Sequence, residues 1–229
     1  VGVMISETIN RRILFINNSL VPGNRVSENF IPHFRSSFDV VNVLTEMVPE
    51  EGEGYSHIIL SGSGADFDGP WQDRESSLIR WAYEKGLPLL GVCYGHQMIV
   101  KTLYGTGCLG PMDKANYGWH SIRSEMDDDI FGIAGKEYSV FSHHFWEVKE
   151  VPLSEVEVFA SSSRCRISGI RIKNKKIWGL QPHFEMGVAP GVSALRKVLG
   201  DEKAWENIEA CPPEDSGHIC HIMQHFLLI

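Results

Sequence analysis

Leu87-Pro88-Leu89-Leu90-Gly91-Val92-Cys93-Tyr94-Gly95-His96-Gln97-Met98-Ile99-Val100-Lys101-Thr102 is the stretch from which the rest of the chain is read. Leu87 to Leu90, set between Gly86 and Gly91, is a short apolar run of the kind that forms a fully buried strand. His96 to Leu103 reads as a helix with Met98, Ile99 and Leu103 on its apolar side. Between them, Cys93 has a glycine two places before and two places after it. Strand, sharp turn and helix with a central nucleophile is the elbow pattern, here with sulfur in place of a serine oxygen. The turn is tight and its central residue strained, so side chains at the flanking positions would collide with neighbouring backbone. The amides and dipole of a helix beginning at the cysteine favour a thiolate. A free cysteine is more often simply a buried residue, so the rest of the chain must supply a base and a group to orient it.

Gly179-Leu180-Gln181-Pro182-His183-Phe184-Glu185 supplies both. His183 follows an apolar run, Ile177 to Leu180, and Glu185 stands two places later. In extended chain such residues point the same way. The carboxylate of Glu185 can then hold one imidazole nitrogen while the other faces the Cys93 sulfur.

Outward from these two segments the chain alternates strands and helices. Arg11–Asn18, Phe38–Leu44 and His57–Leu60 read as strands, Asn24–Ser37 as a helix weakened by Pro32, and Trp71–Lys85 as a helix. The alternation predicts a parallel sheet with helices on both faces. After Gly105 come short strands at Tyr117–Ser124, Tyr138–His143, Val156–Ser161, Gly169–Lys173 and Lys176–Leu180, which predict an antiparallel or mixed extension of that sheet. Lys173-Asn174-Lys175-Lys176 reads as a hairpin turn, and the chain ends in two helices, Val192–Leu199 and Gly217–Leu228. With no repeat, low-complexity segment or long linker, residues 1–229 read as one α/β domain.

Twenty-nine acidic against twenty-one basic residues leave a net charge of −8, and no basic run is interleaved with aromatics, which argues against nucleic-acid binding. No apolar run reaches membrane-spanning length. Val1-Gly2-Val3-Met4 opens the chain without a basic segment followed by a long apolar one, and the five cysteines are odd in number and in no framework spacing, so reduced thiols in a cytoplasmic setting are expected. His221 and His225 stand four apart near Cys211, His218 and Cys220, but without a C-x-x-C they read as an ordinary polar helix face; no metal and no cofactor is expected.

Gly91-Val92-Cys93-Tyr94-Gly95-His96-Gln97 resembles the G-[IV]-C-x-G-H-Q signature of class I glutamine amidotransferases, the triad glutaminases. Leu60-Ser61-Gly62-Ser63 is similar to that family's L-S-G-G segment, Tyr117-Gly118-Trp119 and Ser142-His143-His144 to the Y-G-W and S-H-G segments of its GMP synthetase branch, and Gln181–Glu185 to its Q-F-H-P-E box with proline and phenylalanine exchanged. The matches run in order over about residues 58 to 185. The resemblance implies a flavodoxin-like α/β fold and hydrolysis of the glutamine side-chain amide, with Cys93 as nucleophile, His183 moving protons and Glu185 supporting it. It implies an oxyanion site made by the Tyr94 amide and a second amide at the Gly62-Ser63 turn, with Gly62 favoured, and a substrate held around Ser63, Gln97, Ser142, His143 and His144. It also implies an ammonia-accepting synthetase on another polypeptide, since the chain has no G-x-x-x-x-G-K-[ST] loop of its own. Ser142-His143-His144-Phe145 lacks the acidic residue of the family's S-H-G-D. A γ-glutamyl compound in place of glutamine, and a catalytically silent regulatory protein on the same scaffold, are the alternatives.

Overall fold

The computed structural model describes residues 11–22, 26–214 and 218–229. The opening residues Val1–Met4, and Asn24, Arg25 and Gly217 at the ends of two expected helices, lie outside them.

One nine-stranded sheet runs through the molecule. Its strands are β1 (Arg12–Asn17), β2 (Ser37–Asn42), β3 (His57–Leu60), β4 (Leu89–Val92), β5 (Leu109–Ser124), β6 (Glu137–Val148), β7 (Val156–Ser161), β8 (Gly169–Ile172) and β9 (Ile177–Leu180). The order across the sheet is β2-β1-β3-β4-β9-β8-β7-β5-β6. The first five of these strands are parallel and the rest antiparallel. The parallel part keeps the 2-1-3-4-5 order of a flavodoxin-like sheet, with β9 in fifth place. Asn174, at φ 60°, turns the β8–β9 hairpin as expected.

The parallel strands are apolar on both faces because helices cover both. Leu14, Ile16, Ile58, Leu60 and Leu89 pack under α1 (Gln72–Lys85) and α2 (Tyr94–Tyr104), against Leu78, Ile79, Ala82, Met98 and Ile99. On the other face Ile13, Phe15, Ile59, Leu90, Trp178 and Leu180 meet Phe30 and the apolar side of the C-terminal helix, Ile222, Met223 and Phe226. At the antiparallel end, Trp119 and Phe141 pack against Leu195 and Ala204.

Two expectations need correction. Asn24–Ser37 does not form an α-helix: its described part holds two short 3-10 turns, Val26–Asn29 and Ile31–His33, with Pro32 in the second. The chain ends in three helices, α3 (Val188–Leu199), α4 (Asp201–Ala210) and α5 (His218–Phe226). Helix α4 buries only Ala204, so it has no apolar stripe to read; Asn207 ties it to the sheet by accepting from the Trp119 amide at 2.9 Å and donating to the Trp119 carbonyl at 3.2 Å. Among the described residues no helix is long and apolar enough to cross a membrane.

Candidate active site

Three adjacent parallel strands, β3, β4 and β9, deliver Gly62, Cys93 and His183 to the same edge of the sheet, beyond their carboxyl ends. Cys93 is the hinge between β4 and α2, with φ 52° and ψ −104°, a conformation L-residues rarely adopt. The strain is held by bonds on both sides: the Cys93 N–H donates to the Leu180 carbonyl at 2.7 Å, and its carbonyl accepts from the Gln97 N–H at 3.1 Å. The flanking glycines are required by contact. A Cβ on Gly91 would lie 2.5 Å from the Gly95 backbone, and one on Gly95 would lie 2.4 Å from the Leu60 carbonyl oxygen.

His183 is placed by backbone as well. Its N–H donates to the Phe141 carbonyl at 2.7 Å, which bridges the end of β9 to β6. Glu185 reaches it across a turn closed by the Met186 N–H on the His183 carbonyl, rather than along extended chain. The result is the pairing the spacing anticipates: His183 Nδ1 lies 2.7 Å from Glu185 Oε1, with the carboxylate buried. That leaves Nε2 free of Glu185, and the ring packs close to Cys93: a Cβ on Gly62 would touch both side chains, and both line the same cavity. Burial alone would lower the His183 pKa. The Glu185 carboxylate and the Cys93 sulfur outweigh it, and the pKa stands well above the ordinary histidine value. Such a site favours the imidazolium form of His183.

Gly62 closes the third side. A Cβ there would lie 2.6 Å from the His183 ring and 3.3 Å from Cys93 Cβ. The Tyr94 amide opens α2, where helical N–H groups have no partner within the helix.

The site opens into a cavity of about 590 Å³ whose lining includes Ser63, Gln97, His143 and His144 of the expected substrate residues. Gln97 is buried, and its amide nitrogen donates to the Trp146 carbonyl at 2.6 Å and to Gln181 Oε1 at 3.0 Å. Ser63 Oγ accepts from the Ala65 N–H. His143 stands exposed, edge-on to Tyr117, and its carbonyl oxygen is 3.8 Å from the Cys93 sulfur. His144 is a buried strut: its Nδ1–H donates to the Trp146 carbonyl at 2.9 Å and its Nε2 faces the Asn116 amide at 3.2 Å. Burial lowers its pKa to about 4, so the ring is neutral. Ser142 is buried and does not line the cavity.

One residue in contact with the sulfur was not singled out from sequence. Gln181 Nε2 points at Cys93 Sγ from 3.6 Å, and the side chain is 1% exposed. A polar residue directly after the wholly buried β9 was the available signal. Of the aromatic wall, Phe145 and Trp146 directly follow the expected His143-His144 segment, while Phe67 comes from the separate segment before α1. Among the described residues no group of three or more histidine, cysteine or acidic side chains is placed to hold a metal ion.

Known proteins match this chain in sequence and in fold. Residues 26–197 match the family described as glutamine amidotransferase class-I. A GMP synthase (glutamine-hydrolyzing) subunit of Methanothermobacter thermautotrophicus is 32% identical over 143 residues, covering 62% of this chain and 70% of that protein. The corresponding subunit of Methanocaldococcus jannaschii is 29% identical over 165 residues, or 69% and 83% of the two chains. In fold, a glutamine amidotransferase from Thermotoga maritima superposes with a TM-score of 0.73 over 96% of each chain at 22% identity. With three quarters of its length matched to one family, this chain belongs to the class-I glutamine amidotransferases.

Proposed function

We propose that the chain hydrolyses the side-chain amide of glutamine through a Cys93 thioester and delivers the ammonia to a separate synthetase in the cytoplasm. The observation that carries the reading is that Cys93, His183 and Glu185 line one cavity, with the His183 ring packed beside Cys93 at Gly62 and hydrogen-bonded to the Glu185 carboxylate. The Cys93 thiolate attacks the carboxamide carbon. The tetrahedral oxygen is met by the Tyr94 and Gly62 amides. His183, as imidazolium, protonates the departing nitrogen as the C–N bond breaks, and ammonia leaves. The imidazole then takes a proton from water, the resulting hydroxide opens the thioester, glutamate is released, and the Cys93 thiolate and the imidazolium are regenerated. A synthetase partner is supported by the relatives, which are named as subunits of a glutamine-hydrolyzing synthase.

A γ-glutamyl amide or peptide is the second reading. It is favoured by the cavity, whose volume of about 590 Å³ exceeds what one glutamine fills, and by Phe145 where the family carries an acid. The test incubates the purified chain with glutamine and, separately, with γ-glutamyl dipeptides, and follows glutamate release. Glutamine turnover supports the first reading, and fast dipeptide cleavage with negligible glutaminase supports the second. A Cys93→Ala variant with full activity would remove the mechanism.

A further inference from the structure

A buried polar cluster lies beneath the two candidate oxyanion amides, and hydrolysis through Cys93, His183 and Glu185 does not call on it. Its centre is Glu75, in the first turn of α1 and wholly buried. Glu75 Oε1 accepts from Asn18 Nδ2 at 2.8 Å. The same Asn18 nitrogen donates to the Ser61 carbonyl at 3.3 Å, and the Asn18 N–H donates to Ser61 Oγ at 2.9 Å. The Ser61 hydroxyl in turn donates to the Gly62 carbonyl at 3.2 Å. Both peptide groups flanking Gly62 are therefore tied to Asn18 and, through it, to Glu75.

The second amide is anchored beside the same cluster. The buried Tyr94 ring stacks on Phe67 at 5.4 Å, and its hydroxyl faces Trp71 and Gln72 with the Glu75 carboxyl close by. Gln72 donates to the Asp66 carbonyl at 2.5 Å and accepts from Lys101 at 2.9 Å. Burial raises the Glu75 pKa to about 7, against the Asn18 hydrogen bond and the Lys101 charge. Burying a carboxyl with one side-chain partner is costly, and packing α1 on the sheet would be served as well by leucine.

The geometry of the peptide unit says what the cost secures. A trans peptide is planar, with its N–H opposite its C=O. A Ser61 carbonyl tied down to Asn18 turns the Gly62 N–H the other way, and a hydrogen bond on the carbonyl polarises that same N–H. We propose that Glu75 is a positioning residue for the oxyanion site: through Asn18 it fixes the plane of the Ser61–Gly62 peptide, so that the Gly62 N–H meets the tetrahedral oxygen formed at Cys93. The inference rests on the reading of Cys93 as an amide-hydrolysing nucleophile.

The test compares wild type, Glu75→Ala, Glu75→Gln, Asn18→Ala and the Glu75→Ala/Asn18→Ala pair. Substrates are glutamine and γ-glutamyl p-nitroanilide. Iodoacetamide alkylation of Cys93 serves as a control, because it displaces iodide without forming an oxyanion. Glu75→Ala is expected to lower kcat about tenfold or more, less than outright loss of a donor, with KM within about threefold. Its alkylation rate should stay within about twofold of wild type. Glu75→Gln keeps an acceptor for Asn18 and should recover most of kcat. Asn18→Ala should match Glu75→Ala, and the pair should add little beyond either. If Glu75→Ala does not fold, Asn18→Ala and Glu75→Gln carry the comparison. An unchanged kcat in the alanine variants, or a loss confined to KM, overturns the positioning role while leaving Cys93 catalysis standing. A wild type that cleaves neither substrate overturns the reading beneath it.

Discussion

His183 Nδ1 and Glu185 Oε1 meet at 2.7 Å across a turn, and the hydrogen-bond partners of the Cys93 sulfur are the His143 carbonyl and Gln181, so the carboxylate acts on the imidazole. This makes Glu185 a pure test of orientation and charge. Glu185→Gln keeps the size and a hydrogen-bond acceptor but removes the charge that holds the His183 pKa up. The variant should lose about 100-fold or more in kcat. Cys93 alkylation should slow, because the sulfur loses a protonated neighbour. The stability effect has a definite sign. A raised histidine pKa stabilises the fold fully below its unfolded value near 6.5 and loses that contribution as pH rises through the folded value. Glu185→Gln should therefore lower the melting temperature more at pH 6 than at pH 9.

Gly62 tests the closeness of the site. A methyl group at this position would stand 2.6 Å from the His183 ring and 3.3 Å from Cys93 Cβ. Gly62→Ala must push the imidazole off its line between Glu185 and the sulfur. It should reduce kcat about 100-fold, and iodoacetamide should alkylate Cys93 more slowly at neutral pH. Retained activity with unchanged alkylation would show that the ring can move at no cost.

The parts of the fold that were legible in sequence are those where local pattern and burial coincide. His57–Leu60 and Val156–Ser161 are read to the residue because their ends are marked by turns. The elbow was legible because its glycines stand two places either side of the cysteine in the chain itself, although the contact that Gly95 answers to, Leu60, is remote in sequence. β5 and β6 run well beyond their expected limits, to Leu109–Ser124 and Glu137–Val148, because the added residues pair with each other through stretches, Pro111–Ala115 and Phe145–Glu147, that carry no buried pattern. Of the site, Cys93, His183 and Glu185 carry their own spacing signal. Gln181, Asn18 and Glu75 do not: each earns its place from partners 43 to 88 residues away in the chain, such as Ser61 for Asn18 and Cys93 for Gln181. Asp128 shows the same limit. In sequence, Asp127-Asp128-Asp129 before Ile130 has the character of a solvated acidic turn, yet the Asp128 side chain is buried, accepts from the Trp178 indole N–H at 3.1 Å and pairs with Arg171 at 3.3 Å.

The elbow glycines should be stability positions before they are activity positions. Gly95 packs against the end of β3, and an added Cβ would meet the Leu60 carbonyl oxygen at 2.4 Å and Leu60 Cβ at 2.7 Å. Backbone atoms at the end of a buried strand cannot move aside cheaply. Gly95→Ala should cost about 3 kcal/mol in denaturant unfolding. Gly107 provides the contrast, since a Cβ there meets nothing within 4 Å. Gly107→Ala should stay within about 0.5 kcal/mol of wild type. Equal unfolding midpoints for the two variants would contradict the close approach at the elbow.

Acid should unfold this protein early, and buried histidines are the reason. Burial is the largest cause of a lowered pKa at each of five: His57, His120, His144 and His218 fall to about 4, and His96 to about 3. All five rings are buried in the fold. The unfolded chain binds a proton on each near pH 6.5. Between that pH and the folded value the unfolded state holds more protons, so stability is full above pH 6.5 and falls as pH drops. At pH 5 the loss is about 2 kcal/mol for a site shifted to 4. Half of that over five sites reaches about 5 kcal/mol, the lower end of whole-domain stabilities. The melting temperature should accordingly drop steeply from pH 7 to pH 5. His218 isolates the cause. Its ring stacks on Tyr138 at 3.9 Å, and neither of its nitrogens makes a well-formed hydrogen bond among the described residues. His218→Phe keeps the stack and removes the proton site. It should leave the melting temperature at pH 8 nearly unchanged and make the fall to pH 5 shallower; a fall as steep as that of wild type would place the acid sensitivity elsewhere.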